Sequence, residues 1–400
     1  MELVSGYPYW LIKTGLPYQY PKLWGNRNCQ AVIIGGGISG ALTAYHCTMA
    51  GIECTVVDAR SMGLGSTCAS TSLLQYELDI PLHRLKKLVG DQKAVRSYQL
   101  CGEAVDKLIA LMDQLRFSDY SRRKSLFFSL HFKEKKMLAK ECIARKVAGF
   151  DVELLPREEL KKNYGLNAEW GLLSQKGAAN NAYLFTHELL QHSISKGLRA
   201  FDRTRIKAID QRNKKVILRT ENDCVLTCDF VINCSGYEVI NFIGKKIVDL
   251  DCTYAIISES MTKNNEMKED GIMMWSTDNP YLYLCPTNDG RIIIGGKDES
   301  FVNMKTIHKY LEKKSFLLER DFKKCLPSIP FKKEFAWSGV FGKTKDALPY
   351  IGKYPKTSRI FYALGFGGNG ITFSLIAAEI ITDLLLGKKN KDAEIFSFTR

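Results

Sequence analysis

Residues 30–58 read QAVIIGGGISGALTAYHCTMAGIECTVVD, and the order of residue types in this run decides the fold. Ala31-Val-Ile-Ile34 is an unbroken apolar stretch, as expected of a strand buried on both faces. Gly35-Gly-Gly-Ile-Ser-Gly40 then turns the chain, a helical pattern runs through Met49, Gly51 ends it, and Cys54-Thr-Val-Val57 begins a second strand. Strand, glycine turn, helix and strand make a βαβ unit. Within it, Gly35, Gly37 and Gly40 carry the G-x-G-x-x-G spacing. Gly35 permits the tight turn, Gly37 lets the backbone approach a pyrophosphate, and Gly40 lets the helix pack closely. Ile38 and Ser39 open the helix, whose unpaired N–H groups attract phosphate. Asp58, eighteen residues after Gly40, closes the second strand and can accept a hydrogen bond from a ribose hydroxyl. A dinucleotide site is predicted; the alternative is a glycine-rich turn with no ligand.

The flanks set the architecture around this unit. Residues 91–115 place Val95, Tyr98, Val105, Leu108, Ile109, Met112 and Leu115 at helical spacing, and residues 133–147 form a second helix candidate. Pro156 suits the start of a short helix over 157–163. Irregular chain is expected from there to Asn181, then a helix over 184–196. Strands at 204–209, 216–220, 225–228 and 230–234 read as a meander returning to a buried strand. Alternating or fully apolar runs at 254–258, 272–276, 281–284 and 291–294 predict an antiparallel sheet. The expected fold is α/β with two domains. A discontinuous Rossmann-like cofactor-binding domain takes residues 1–80, 150–250 and 335–400, and a substrate-binding domain takes 81–149 and 251–334.

Four hundred residues, 45% hydrophobic and 25% charged, can bury a large core and do not suggest disorder. The twelve cysteines are scattered, several of them inside apolar patterns, which points to buried thiols in a reducing compartment and a cytoplasmic protein. Cys224 and Cys228 come nearest to a metal motif, but no second pair or histidine follows at ligand spacing, so no metal is expected. Residues 1–24 carry four tyrosines, two tryptophans and three prolines, an ordered arm and not a signal peptide. The apolar run 371–387 is interrupted by Glu379 and Asp383 and is too short to cross a bilayer. A net charge of +14 could attract anions, yet the basic residues are dispersed and lack interleaved aromatics, so nucleic acid is not the expected partner.

The glycines alone do not separate FAD from NAD. Asp58-Ala59-Arg60, followed by Gly63-Leu-Gly65-Ser66-Thr67-Cys-Ala-Ser70-Thr71-Ser72, resembles the second phosphate- and flavin-contacting loop of the D-amino-acid oxidase superfamily. That family includes glycine, sarcosine and related amine oxidoreductases, and the pattern is most like its bacterial members. Phe230-Val-Ile-Asn-Cys234-Ser-Gly236 is similar to the family strand that ends beside the adenine. Trp337-x-Gly339 with Thr344-Lys-Asp-Ala-Leu-Pro-Tyr-Ile-Gly352 resembles its C-terminal signature. Gly365-Phe-Gly367-Gly368-Asn369-Gly370-Ile371-Thr372 resembles the loop that leads the last helix under the flavin. The resemblance implies non-covalently bound FAD contacted by these loops, with Ile206 also assigned to the site. Cys285 lies in a segment where some relatives carry a flavin-linked cysteine nearby. Independently of the resemblance, the glycines of the last loop would leave N–H groups bare beside a helix N-terminus, where they would stabilise negative charge.

The departures narrow the substrate. Phe341 stands where glycine oxidases have one carboxylate-binding arginine, Gly368 where they have a second, and Thr372 where sarcosine oxidases have lysine. Without that clamp, the expected substrate is an amine, a larger derivative or an N-substituted compound, not a small free amino acid. Trp275, Tyr281, Tyr283, Trp337 and Phe341 are the candidates for its pocket. No serine, histidine and aspartate arrangement stands out, and His46 and His187 read as structural. Hydride transfer to flavin from a carbon bearing a neutral amine needs orientation and a dry pocket more than an acid/base dyad. Oxygen or another acceptor completes the turnover. The rival functions are an FAD-dependent RNA-modifying enzyme, which would show salt-sensitive RNA retention, and a non-catalytic FAD-binding protein.

Overall fold

The computed structural model describes residues 2–212, 214–239, 247–261 and 271–400. The run that opens the chain's argument forms strand Arg27–Ile34, helix Ile38–Met49 and strand Cys54–Val57, the two strands pairing in parallel. They lie inside an eight-stranded sheet with six strands in the order Arg199–Phe201, Cys54–Val57, Arg27–Ile34, Val225–Asn233, Val216–Thr220, Ile206–Gln211, and two, Ile360–Leu364 and Tyr350–Lys353, branching from Val225–Asn233. Val225–Asn233 is forked: its first half pairs with the meander strand Val216–Thr220 and its last three residues pair in parallel with Ile360–Leu364. The predicted break between residues 228 and 230 is absent, because Cys228 and Phe230 both stay in register with Arg27–Ile34.

Helices cover this sheet. Gly370–Leu385 packs on Ile38–Met49 through hydroxyl and thiol contacts, Ser39 Oγ to Ser374 Oγ at 2.6 Å and Cys47 Sγ to Thr382 Oγ1 at 3.5 Å. Ala182–Ser195 packs against the other flank of Ile38–Met49. His187 within it takes a 2.9 Å hydrogen bond with Tyr20 of the N-terminal arm, and burial lowers its pKa to about 4, as suits a structural neutral imidazole. His46 is likewise lowered by burial.

The second sheet has nine strands, ordered Val4–Gly6, Lys333–Lys343, Asp249–Ser258, Ile292–Ser300, Tyr283–Pro286, Met273–Ser276, Ser125–Ser129, Trp170–Ser174, Val152–Pro156. It is antiparallel except where Met273–Ser276 runs parallel to Ser125–Ser129. Its membership crosses the division expected from sequence. Val152–Pro156 and Trp170–Ser174 lie in a segment assigned to the cofactor-binding part, and Val4–Gly6 comes from the N-terminal arm. The chain between 164 and 181 is also less irregular than expected, since it contains Trp170–Ser174 and Ala178–Asn180. Helix Met304–Cys325 covers this sheet and buries Ile307, Leu311, Leu318 and Phe322 against it. A three-stranded sheet, Leu73–Leu74, Ala178–Asn180, Tyr120–Arg122, lies off both. All twelve cysteines are free and buried. Among the described residues no helix is long and apolar enough to cross a membrane.

Candidate active site

Glycine chemistry builds the first wall of the site. Gly35 has φ +108°, and a Cβ there would stand 2.5 Å from the Cys234 carbonyl. A Cβ on Gly40 would lie 1.8 Å from the Gly35 carbonyl, which is how closely the helix approaches the turn. Gly37 caps the helix, and a Cβ on it would come within 2.9 Å of Thr67 Oγ1. That hydroxyl accepts the Ile38 N–H at 3.0 Å, tying the loop 65–71 to the helix start. Asp58 accepts the Gly36 N–H and the Arg60 N–H, both at 2.7 Å. Burial raises its carboxyl above the ordinary carboxylate range against the pull of those two N–H groups. Arg60 pairs with Glu238 at 3.0 Å.

These residues face a cavity of about 930 Å³ that runs between the two sheets. Gly35, Gly37, Ile38, Ser39, Asp58, Ala59 and Arg60 line it, with Gly65, Ser66, Thr67, Ser70 and Thr71 from the following loop. Ile206, Cys234 and Gly236 contribute from the meander, and Gly365, Gly367, Gly368, Gly370 and Ile371 from the last loop. Gly40, Asn369 and Thr372, also expected at the cofactor, are not on the wall. Gly40 is spent on packing, Asn369 is buried and donates its Nδ2 to the Gln75 and Glu77 carbonyls at 3.1 and 2.8 Å, and the Thr372 hydroxyl bonds the Asn369 carbonyl at 3.0 Å.

The last loop differs from expectation in a second way. Its N–H groups are not all bare: Gly368 donates to Asp79 Oδ2 at 3.0 Å, Gly367 to the Gly342 carbonyl at 3.0 Å, and Asn369 to the Phe366 carbonyl at 3.3 Å. The N–H groups that a helix cannot satisfy from within are those of residues 370–372, in the first turn of Gly370–Leu385.

At the other end of the cavity the wall comes from the nine-stranded sheet. Trp275, Tyr281, Tyr283 and Phe341 line it. Trp337 does not; it is fully buried, with Nε1 donating to the Ala69 carbonyl at 2.9 Å, because its strand neighbours turn it into the core. Tyr283 lies across Gly295, its strand partner, where any Cβ would meet the phenol at 2.1 Å. The Tyr281 hydroxyl donates to Asp79 Oδ1 at 3.0 Å, and Tyr283 OH meets Thr253 Oγ1 at 3.2 Å. Burial pushes both phenols up, so they stay protonated donors.

Sequence reasoning missed Gln75, Asp79, Thr253 and Asp298 among the cavity's lining residues. Asp298 had a signal: Gly295-Gly296 interrupts an apolar strand run, the mark of a bulge. Asp79 had none, since loop carboxylates look alike in sequence.

Several wall atoms are buried without a hydrogen-bond partner: Ser72 Oγ, Gln75 Oε1, Trp275 Nε1 and Asp298 Oδ1. Such groups are costly unless a bound molecule satisfies them. A dinucleotide with an attached ring system and a small substrate would fill a cavity that reaches from the βαβ turn to these atoms.

The chain matches the FAD dependent oxidoreductase family, DAO, over residues 30–384. It belongs to that family. As such it is an FAD-dependent oxidoreductase with the fold of its relatives. It is 26% identical to glycine oxidase of Bacillus licheniformis over 384 residues, covering 93% of this chain and 97% of that protein. With gamma-glutamylputrescine oxidoreductase of Escherichia coli it shares 21% over 389 residues, covering 92% and 85%. The crystal structure of glycine oxidase from Geobacillus kaustophilus superposes with a TM-score of 0.78 at 18% identity, covering 94% of this chain and 99% of that one, a likeness of fold.

Proposed function

We propose that this FAD-dependent oxidoreductase oxidises a C–N bond of a small amine or amino-acid-like molecule, with FAD bound non-covalently in the cavity between the sheets. The observation that carries the reading is the continuity of that cavity from the βαβ turn to the aromatic wall. The turn 35–39, Thr67 and the first turn of Gly370–Leu385 would hold the cofactor's phosphates and ring system, and Asp58 a ribose hydroxyl. When bound, FAD supplies a hydride acceptor. Trp275, Tyr281, Tyr283 and Phe341 would exclude water and orient the substrate carbon. Loss of hydride from that carbon, with loss of the nitrogen's proton, leaves an imine that water hydrolyses; oxygen or another acceptor takes the electrons onward. Non-covalent binding is supported by the thiols: burial pushes Cys234 and Cys285 up to about 12, away from the nucleophilic thiolate, and Cys285 is off the cavity wall. Residues 1–80, 150–250 and 335–400 are proposed as the cofactor-binding part, amended by the strands at 4–6, 152–156, 170–174 and 333–343 that side with the substrate sheet.

The experiment is an anaerobic titration of the purified holoenzyme with amines and amino acids, following flavin absorbance. Bleaching by at least one amine, and release of free FAD on acid denaturation, are expected. A flavin that dithionite reduces but no amine or amino acid bleaches would overturn the catalytic reading.

A further inference from the structure

The charged groups on the cavity wall divide into two sets. Around the βαβ turn and the meander both signs occur: Arg60 pairs with Glu238 at 3.0 Å and Arg205 with Glu221 at 3.3 Å, and Asp58, Lys207 and Lys356 also line the wall. At the end walled by the nine-stranded sheet, the charged residues among those described are Asp298 of that sheet and Asp79 of the loop after Leu73–Leu74. The cations on the wall among the described residues, Arg60, Arg205, Lys207 and Lys356, all come from the eight-stranded sheet and the loops at its strand ends. Where a carboxylate-binding pocket would present cations, this one presents two carboxylates.

Asp298 is brought there by a backbone irregularity. In the pairing of Asp249–Ser258 with Ile292–Ser300, Cys252 opposes Glu299 and Tyr254 opposes Gly296, so Lys297 and Asp298 together stand opposite Thr253. This is a β-bulge, with Lys297 in the left-handed region at φ +60°. A non-glycine residue held there costs free energy, and the bulge re-aims Asp298 toward the cavity. Its Oδ1 is shut off from solvent and has no partner, and the same is true of the Gln75 amide oxygen on the same cavity. Both are acceptors that lack a donor. Asp79 is held in place by the Tyr281 hydroxyl and the Gly368 N–H, neutral donors that leave its charge uncompensated. Lys343, whose charge acts on Asp298, is already paired with Asp251. Two aromatic side chains, Tyr281 and Tyr283, help complete the enclosure, the setting in which an ammonium gains from ring quadrupoles as well as from carboxylates, while Phe341 already carries Lys343 Nζ 5.2 Å from its ring centroid.

We infer that this end of the cavity binds a substrate carrying a positive charge in addition to its reacting nitrogen, a diamine or related cationic amine, with Asp298 and Asp79 as its counter-ions. The inference rests on the amine-oxidising reading above and names the substrate class. A zwitterionic amino acid would set its carboxylate against Asp79 or Asp298 with no cation to offset the repulsion.

The test compares three ligands of equal chain length on the holoenzyme: an aliphatic diamine, a monoamine ending in methyl, and an ω-amino carboxylate. Anaerobic flavin reduction gives the apparent dissociation constant and limiting rate, and calorimetry gives binding whether or not reduction follows. The diamine should bind at least about tenfold tighter than the monoamine, and the ω-amino carboxylate weakest. In Asp298→Asn, which preserves shape and removes charge, the ratio of diamine to monoamine affinity should fall about tenfold, with FAD content as the folding control. Asp79→Asn is the second variant, and its ratio should fall as well. Equal affinity for diamine and monoamine, tighter binding of the ω-amino carboxylate, or an unchanged ratio in both variants overturns the inference. Diamine binding that is tight and charge-dependent but never reduces the flavin upholds it and overturns the amine-oxidising reading instead.

Discussion

At the scale of single residues, Asp298 carries a testable pH dependence. Burial raises its carboxyl to about 6, against the pull of the Thr253 hydroxyl and Lys343, with Asp79 and Asp251 adding to the rise. Tyr281 and Tyr283 stay neutral on the same wall. A cationic ligand needs Asp298 ionised, so affinity for a diamine should increase as pH rises through about 6, measured by calorimetry on the holoenzyme. Folding has the opposite sign. A carboxyl whose folded value exceeds its unfolded one binds more protons when folded, so its contribution to stability falls as pH rises through that window. Asp298→Asn should therefore melt no lower than the parent at neutral pH while losing diamine affinity, a separation of stability from binding that scanning calorimetry reads directly. Gly40→Ala should do the reverse. Its Cβ would lie 1.8 Å from the backbone oxygen of Gly35, which no side-chain rearrangement relieves. A cost of about 1–3 kcal/mol is expected, seen as a lower melting temperature and reduced FAD content.

At the scale of elements, the last loop depends on one amide. Asn369 ties the start of Gly370–Leu385 to the Gln75 and Glu77 carbonyls. Asn369→Ala would orphan the Gln75 carbonyl and leave that of Glu77 with the 3.4 Å bond from Gln75 Nε2, at a cost of about 1–3 kcal/mol, and should lower both the melting temperature and the limiting rate of flavin reduction. The same loop shows where sequence reading succeeds and stops. Local pattern sufficed for the βαβ unit, because the parallel strands are buried on both faces and the glycines sit at fixed spacing. It also placed Val216–Thr220 and the helix beginning at Asp91. It misassigned the fate of the Gly367 and Gly368 N–H groups, since their acceptors, Gly342 and Asp79, lie far away in the chain. Trp337 and Tyr283 looked equivalent in sequence. The first is turned into the core and the second toward the cavity because Gly295 leaves room for its ring. Strands Ser125–Ser129 and Val152–Pro156 escaped notice because neither shows the alternation that marks a half-buried strand.

At the scale of the whole molecule, the cavity lies between the two sheets and draws on both, so a ligand filling it should couple their unfolding. FAD at about a hundredfold excess over its dissociation constant would stabilise the folded state by about 2.7 kcal/mol. The apoprotein should melt several degrees lower than the holoenzyme, and adding FAD back should restore a single transition in differential scanning calorimetry. The wall itself is drawn from residues 35–72, 204–238 and 365–371, with Trp275, Tyr281, Tyr283 and Asp298 between. On a ribosome these pieces emerge in sequence. The nascent βαβ unit must wait from residue 40 to residue 365 for its opposite rim, roughly tens of seconds at ordinary elongation rates. Flavin capture thus follows synthesis of the loop 365–371, and until then the growing chain must keep its cofactor face from other partners by its own partial folding.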